Sequence, residues 1–513
     1  MVVMVSKKNK NKKEIIVNKK KFFYISLLWI CILAIGLVKK TFQNDTFYSI
    51  KIGELIINNG IDMLDHFSIH NLSYTYPHWL FDVFIYITYL IGKYNGIYIA
   101  TIILDLILLF VIYKCTFKIT NSLSSPFIIT LVCAIIMGQG FATARAQLVS
   151  YILFVLEIMF IELYIKEKKK RYIYGLLIIS ILICNIHVAV WPFYYVLFLP
   201  YIAESIICKI FKKIKSNNRF ISYLRNKFMM EDEIPLLNLL LIMFISLFTG
   251  LITPLKDTPY TYLFKTMMGN SQKYIQEHQM ASLKDSVFTI VIVIETLFLA
   301  IITKIKLRDL FLILGLSLMS IMSLRHIGLL TVGMSICFCR TYNNFTDLVG
   351  IDTDKIIYGF LRKKLVIIIC FILAFTSLTF NLKTKMKDEY VDKDVYPVEG
   401  VKFLKENVNI DSMRIFNEYN FGSYLLLNDI PVFIDSRADL YTKEFSGLSY
   451  DIFDDYANMI KDYRRVFDFY NITHILIYNN TLLYTTIEKY ENYNKLYEDK
   501  HFVIYERIVN EEE

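Results

Sequence analysis

Long apolar runs separated by short polar breaks recur from residue 22 to residue 380, and a chain of this kind has no way to bury them all in water. Runs of roughly 15 to 22 apolar residues match a bilayer core about 30 Å thick, because a helix rises about 1.5 Å per residue and flanking lysines reach the interface. About eleven are present, at 22–38, 97–114, 126–140, 148–165, 172–186, 188–208, 235–253, 287–303, 309–324, 327–341 and 364–380. Composition agrees: 55% of the 513 residues are hydrophobic and mean hydropathy is +0.44. The chain is therefore expected to be a polytopic α-helical membrane protein with about eleven transmembrane helices.

The net charge of +9 is unevenly spread. Residues 381–513 hold 16 Lys and Arg against 25 Asp and Glu, a net −9, which leaves +18 for the rest. The cations gather in short stretches between apolar runs, at Lys7–Lys21, Lys166–Arg171, Lys209–Lys227, Lys304–Arg308 and Arg362–Lys364. Basic loops of this kind stay in the cytoplasm. The pattern speaks for membrane lipids as surroundings and against nucleic acid as a partner. With residues 1–21 as a cytoplasmic N-terminus, an odd number of crossings puts the acidic tail outside, and every basic loop then falls inside. Lys39 and Lys40 stand where a signal peptide would need small residues for cleavage, so 22–38 reads as a retained anchor. The eight cysteines lie between Cys31 and Cys370, nearly all in apolar runs, with no disulfide or thiolate-metal spacing; Cys337 and Cys339 read as helix-packing residues.

Three parts follow: the N-terminus, a transmembrane domain over 22–381 with an external loop at 39–96, and an extracytoplasmic α/β domain over 382–513. In the tail, β-rich runs at Met413–Phe416, Val432–Asp435, His474–Tyr478 and Phe502–Tyr505 alternate with helical patterns, which predicts a mostly parallel sheet. Within the first loop, Trp79–Ile91 reads as an amphipathic helix in the interface, ended by Gly92-Lys93. A second external loop, 254–286, carries Tyr260, Tyr262, Lys265, Lys273, Glu277 and His278.

The first loop is too polar to be a mere connector. Asp45 follows the first apolar run closely, which holds its carboxylate at the membrane surface, and Asp65, His66, His78 and Trp79 follow on the same side. An acid beside imidazole and aromatic groups can activate a hydroxyl near a lipid-borne substrate. Parity brings Arg145, His187 and Arg325 to that face too. Arginine suits a lipid phosphate because its planar fork keeps its charge in a partly dry site; the alternative is that Arg145 and Arg325 anchor the interface. His187 reads as a ligand or as a helix-end hydrogen-bonding group. His78-Trp79 reads as a platform for a sugar ring or as part of an interfacial aromatic belt. Asp435, Arg437 and Asp439 in the tail read as a ligand site or as a charged turn docking the tail. Inside the crossings, Asp105, Glu157 and Glu295 are costly unless they face a cavity or a partner, whereas Glu162 is expected to pair with Lys166 four residues on.

The order Asp45, Gly53, Gly60, Asp65-His66-Phe67-Ser68, His78-Trp79-Leu80, then Arg145-Ala146-Gln147, Asn185-Ile186-His187, Arg325 and Phe433–Tyr441 resembles bacterial membrane proteins of the GT-C glycosyltransferase superfamily. Its relatives include protein O-mannosyltransferases, aminoarabinose transferases and oligosaccharyltransferases. The resemblance implies an inverting transferase that takes a sugar from a polyprenyl-phosphate carrier on the outer face of the cell membrane and passes it to an acceptor, whether glycan, lipid or protein. It makes Asp45 the catalytic residue, with Asp65, His66, His78, Trp79, Arg145, His187 and Arg325 binding substrate. A divalent metal is left open as cofactor, since no second acid adjoins Asp45, and Ala146 stands where such proteins often have proline. Two rivals are a transporter or flippase for a lipid-linked saccharide, working through Asp105, Glu157 and Glu295, and a noncatalytic membrane scaffold.

Overall fold

Every one of the apolar runs is helical. In the computed structural model the described residues are 2–213, 219–230, 233–269, 275, 279–280, 282, 287–489 and 492–508. The chain opens with α1 (Val2–Leu37), α2 (Asn44–Asn59), α3 (Trp79–Thr120), α4 (Ser124–Met137), α5 (Ala146–Glu167) and α6 (Lys170–Ile186). Helices over Val188–Lys213, Leu236–Leu251, Val287–Ile302, Leu307–Met322, Ile327–Val349 and Lys364–Lys387 hold the remaining runs. Among the described residues five segments are long and apolar enough to cross a membrane: Lys19–Leu37, α3, α5, Val188–Lys213 and Lys364–Lys387. The last shows why a bilayer is needed. Only Ala374 of its 24 residues is buried, so Leu365, Ile369, Phe371 and Phe375 face outward, as an apolar belt against lipid does and a water-facing surface does not.

α2 is the first loop's helix, and it packs on the start of α3, where Phe81, Asp82 and Ile85 are buried. Gly53 permits this: a Cβ there would run into the carbonyl of Asp82. The stop expected at Gly92-Lys93 is a break in α3, with Lys93 at φ 51°, so Trp79–Ile91 and the crossing beyond it are two helices.

The expected pair Glu162–Lys166 gives way to a buried cluster. Glu162 meets the Arg308 guanidinium at 2.8 Å and that of Arg340 at 3.0 Å, Glu204 meets Arg308 at 2.6 Å, and Asp309 meets Arg340 at 3.2 Å. Lys166 lies exposed outside it. A carboxylate turned inward among three other helices finds two guanidinium groups that the local sequence cannot reveal, and with the charges out of water each needs its partner, since an unpaired buried charge is costly.

The tail forms a four-stranded sheet in the order β1 (Ile415–Asn417), β2 (His474–Tyr478), β4 (Phe502–Arg507), β3 (Tyr493–Glu498). Only β1 and β2 are parallel; β2–β4 and β3–β4 are antiparallel, which corrects the expected mostly parallel sheet. The short turn after β3 accounts for the β3–β4 pair: Asp499 Oδ1 accepts from the backbone N–H of His501 and Phe502, and so tight a connection joins only antiparallel neighbours. Val432–Asp435, expected as a strand, joins no ladder. Asn417 serves it instead, donating to Ile434 O (2.7 Å) and accepting from Phe433 N (2.8 Å), while Val432 exchanges hydrogen bonds with Phe67 and Ile69 of the first loop. That exchange fastens the loop to the tail domain.

Candidate active site

Asp45 stands in the first turn of α2, where exposed backbone N–H groups favour a carboxylate. Arg145 sits in extended backbone immediately before α5, and its guanidinium pairs with the Asp45 carboxylate. Thr46 donates to the carbonyl of Ala144 (3.5 Å), so α2 and the start of α5 are held together at this point. Arg325 lies in the one-turn helix Leu324–His326 between two membrane helices. Burial pushes the Asp45 carboxyl up, but the charge of Arg145, a hydrogen bond from Ser436 and the charge of Arg325 outweigh it and hold the group below its ordinary range.

Beside this pair lies a row of neutral polar groups. Tyr48 Oη meets His78 Nδ1 at 3.1 Å, the rings of His78 and His187 are 4.8 Å apart, and His187 Nδ1 meets Ser150 Oγ at 2.9 Å. Burial first, with Arg325 and Arg145 adding to it, lowers His78 to about 4 against the attraction of Asp45. His187 falls well below its ordinary value, through burial and then the neighbouring His78 and both arginines. Both imidazoles are therefore neutral at physiological pH.

Asp45, His78, Arg145, His187 and Arg325 line one cavity of about 1310 Å³. Its other walls come from the tail domain and the second loop. Tyr419, Ser436 and Asp439 face it, Asn44 beside Asp45 donates to Tyr419 O (2.9 Å), and Tyr262 Oη donates to Asp439 Oδ2 (2.6 Å). Tyr151, Phe154, Leu329 and Met267 add apolar wall.

Three expected site residues lie elsewhere. Asp65 is buried against the Arg437 guanidinium (2.7 Å), which also holds Asp435 (2.7 Å), so it ties the first loop to the tail. His66 is exposed and paired with Asp62 at 2.5 Å. Trp79 donates its indole N–H to Asn185 Oδ1 at 3.2 Å, which spends its polar edge on the end of α6. Asp105 and Glu157 are buried within the bundle, Glu295 is exposed, and none of the three lines the cavity. Of the second loop, Lys273, Glu277 and His278 lie outside the described residues.

Tyr48 and Ser150 were not singled out from sequence; Tyr262 was noted only as part of the second loop and Ser436 only within the Phe433–Tyr441 stretch, neither with a role at the site. Helical spacing could have found both missed residues: Tyr48 is three residues on from Asp45 along α2, and Ser150 follows Arg145 by little more than one turn. Nothing local places Tyr262 or Ser436 at the cavity, which they reach through tertiary folding.

A divalent cation wants several oxygen ligands in one place. Here Asp45 faces a guanidinium rather than a second carboxylate, and both imidazoles are already hydrogen-bonded. Among the described residues no three His, Cys, Asp or Glu side chains converge to hold a metal. This donor set does not fit one.

The chain is thus a bundle of apolar helices with an acid in the loop after its first apolar helix, closed by a C-terminal α/β domain. Among solved structures the chain is similar to the archaeal oligosaccharyltransferase AglB from Archaeoglobus fulgidus, in complex with an inhibitory peptide and a dolichol-phosphate. The identity there is 11% and the TM-score 0.58, over 90% of this chain and 70% of that one. It is also similar to ArnT from Cupriavidus metallidurans bound to undecaprenyl phosphate, at 8% identity and a TM-score of 0.54, over 94% of this chain and 97% of that one. The archaeal enzyme in complex with Zn and sulfate gives 10% identity and a TM-score of 0.54, over 88% and 68%. No protein-family model and no curated protein matches the sequence. Likeness at such low identity establishes the fold, and the reaction rests on the site.

Proposed function

We propose that the protein transfers a sugar from a polyprenyl-phosphate-linked donor to an acceptor hydroxyl at the outer face of the cytoplasmic membrane. The observation that carries this reading is the Asp45–Arg145 pair, with Arg325 close by, in a large cavity closed by the tail domain. The solved neighbours that bind dolichol-phosphate and undecaprenyl phosphate support it.

The chemistry suits the charges. A lipid-linked sugar on a phosphodiester carries one negative charge, and breaking its anomeric C–O bond leaves a phosphate monoester with more. Arg145 and Arg325 favour the form with more negative charge, and so the transition state over the bound donor. Asp45 takes the proton of the acceptor hydroxyl, whose oxygen attacks the anomeric carbon from the side opposite the phosphate, with inversion. The ion pair that lowers Asp45 also weakens it as a base. Donor phosphate drawing Arg145 toward itself relieves that, so Asp45 becomes basic when there is something to transfer. His78, His187, Tyr48 and Ser150 stay neutral and offer hydrogen bonds to sugar hydroxyls.

The test is to offer the purified protein a panel of lipid-linked sugars and measure released polyprenyl phosphate. Asp45→Asn should abolish release while leaving membrane insertion intact, and an active Asn variant would refute the assignment.

A further inference from the structure

The first turn of α3 lies at the candidate active site, and its far end holds a second cavity. From Lys93 to Lys118 the helix rises about 37 Å, enough to reach the opposite membrane face. There a cleft of about 410 Å³ opens between α3 and α5, lined by Phe110, Leu156 and Met159 and by Lys114, Lys118 and Asn121. The Lys114 ammonium lies over the rings of Phe23 (4.6 Å) and Phe110 (5.4 Å), and that of Lys118 is 6.0 Å from the Tyr172 ring centroid. Both lysines are exposed, and among the described residues neither has a carboxylate partner. The acids nearby are engaged: Asp354 accepts from the N–H groups of Leu123 and Ser124 and from Ser122, and Glu167 holds Lys169 and Arg171.

Two ammonium groups one helical turn apart, beside an apolar furrow at headgroup depth, match a phosphate joined to an acyl chain. The apolar wall disfavours free phosphate, and a zwitterionic headgroup would bring its own cation to the lysines. We propose that this cleft binds an anionic glycerophospholipid of the leaflet opposite the active site, with its phosphate between Lys114 and Lys118 and one acyl chain along Phe110, Leu156 and Met159. The site does not depend on the reaction proposed above.

Native mass spectrometry of the delipidated full-length protein in detergent tests this, with phosphatidylglycerol, phosphatidylcholine and inorganic phosphate as probes. Phosphatidylglycerol should bind and the other two should not. The double variant Lys114→Gln/Lys118→Gln should bind it about 25-fold more weakly, roughly fivefold per lysine. Lys114→Arg/Lys118→Arg should retain binding. Lys363→Gln/Lys364→Gln, which removes two exposed lysines at the start of another helix, should leave it unchanged. Equal binding of phosphatidylcholine, displacement by inorganic phosphate, or equal weakening by both Gln pairs would overturn the proposal.

Discussion

At Asp45 the two demands on a catalytic carboxylate conflict, since it must be ionised in a partly dry site and yet basic enough to take a proton. Arg145 meets the first demand and can release the second. Lysine in place of Arg145 keeps the charge but loses the planar fork that can hold carboxylate and then phosphate. Arg145→Lys should therefore lower turnover by about 10²-fold while changing donor affinity less, which steady-state kinetics with a lipid-linked donor would resolve. The histidines give a pH prediction. His70, bonded to Phe433 O at 2.8 Å, and His78 have an ordinary value of 6.5 but are lowered to about 4, with burial the largest cause in each. The unfolded chain takes up these protons below 6.5 and the folded one only near 4. Their contribution is thus complete above 6.5 and is lost as pH falls from 6.5 toward 4. The melting temperature of detergent-solubilised protein should drop across that window, and His70→Gln should flatten the slope. An unchanged slope in the variant would count against the buried neutral imidazole.

Among the helices, sequence was most informative where periodicity and length carried the signal, and least where the decision was made across the bundle. The apolar runs gave the helices because burying backbone in lipid leaves few alternatives. Glu162 and Lys166 had the right spacing for a surface pair, and only the approach of Arg308 and Arg340 from other helices decides against it. About 25 Å of α5 separates Arg145 from Glu162, so this cluster braces the membrane face opposite the cavity. Arg308 is 2% exposed and Glu204 fully buried, hence removing one partner strands a charge. Arg308→Met should destabilise the fold by about 3–5 kcal/mol, whereas Lys166→Gln should change it by less than about 0.5 kcal/mol. Thermal unfolding in detergent distinguishes them, and equal effects would restore the surface pair. The α2–α3 crossing offers a second check at this scale. Gly53→Ala should separate the helices and lower both stability and transfer, because the obstacle is the Asp82 backbone rather than a movable side chain.

For the molecule as a whole, the site is composite: α2, α5 and the turn at Arg325 supply the charged groups, and the tail domain closes the cavity with Tyr419, Ser436 and Asp439. Sequence parity brought Asp45, His78, Arg145, His187 and Arg325 to one face, and these five share the cavity. It could not separate them from Asp65, since an acid in the same loop reads alike whether it meets substrate or the buried Arg437. The architecture puts the tail and the cavity on one side of the membrane, and the charge pattern predicts that this side is the outer one. Single cysteines introduced at exposed lysines on either side test this directly. Lys402→Cys in the tail should react with a membrane-impermeant maleimide in intact cells, and Lys170→Cys should react only after the membrane is opened. The native thiols provide the background, because all eight lie in helices and six are buried. Labelling of Lys170→Cys in intact cells, with Lys402→Cys protected, would invert the topology and with it the leaflet from which the donor is drawn; labelling of both would mean that the tail and the basic loops share a face, which the bundle described here does not allow.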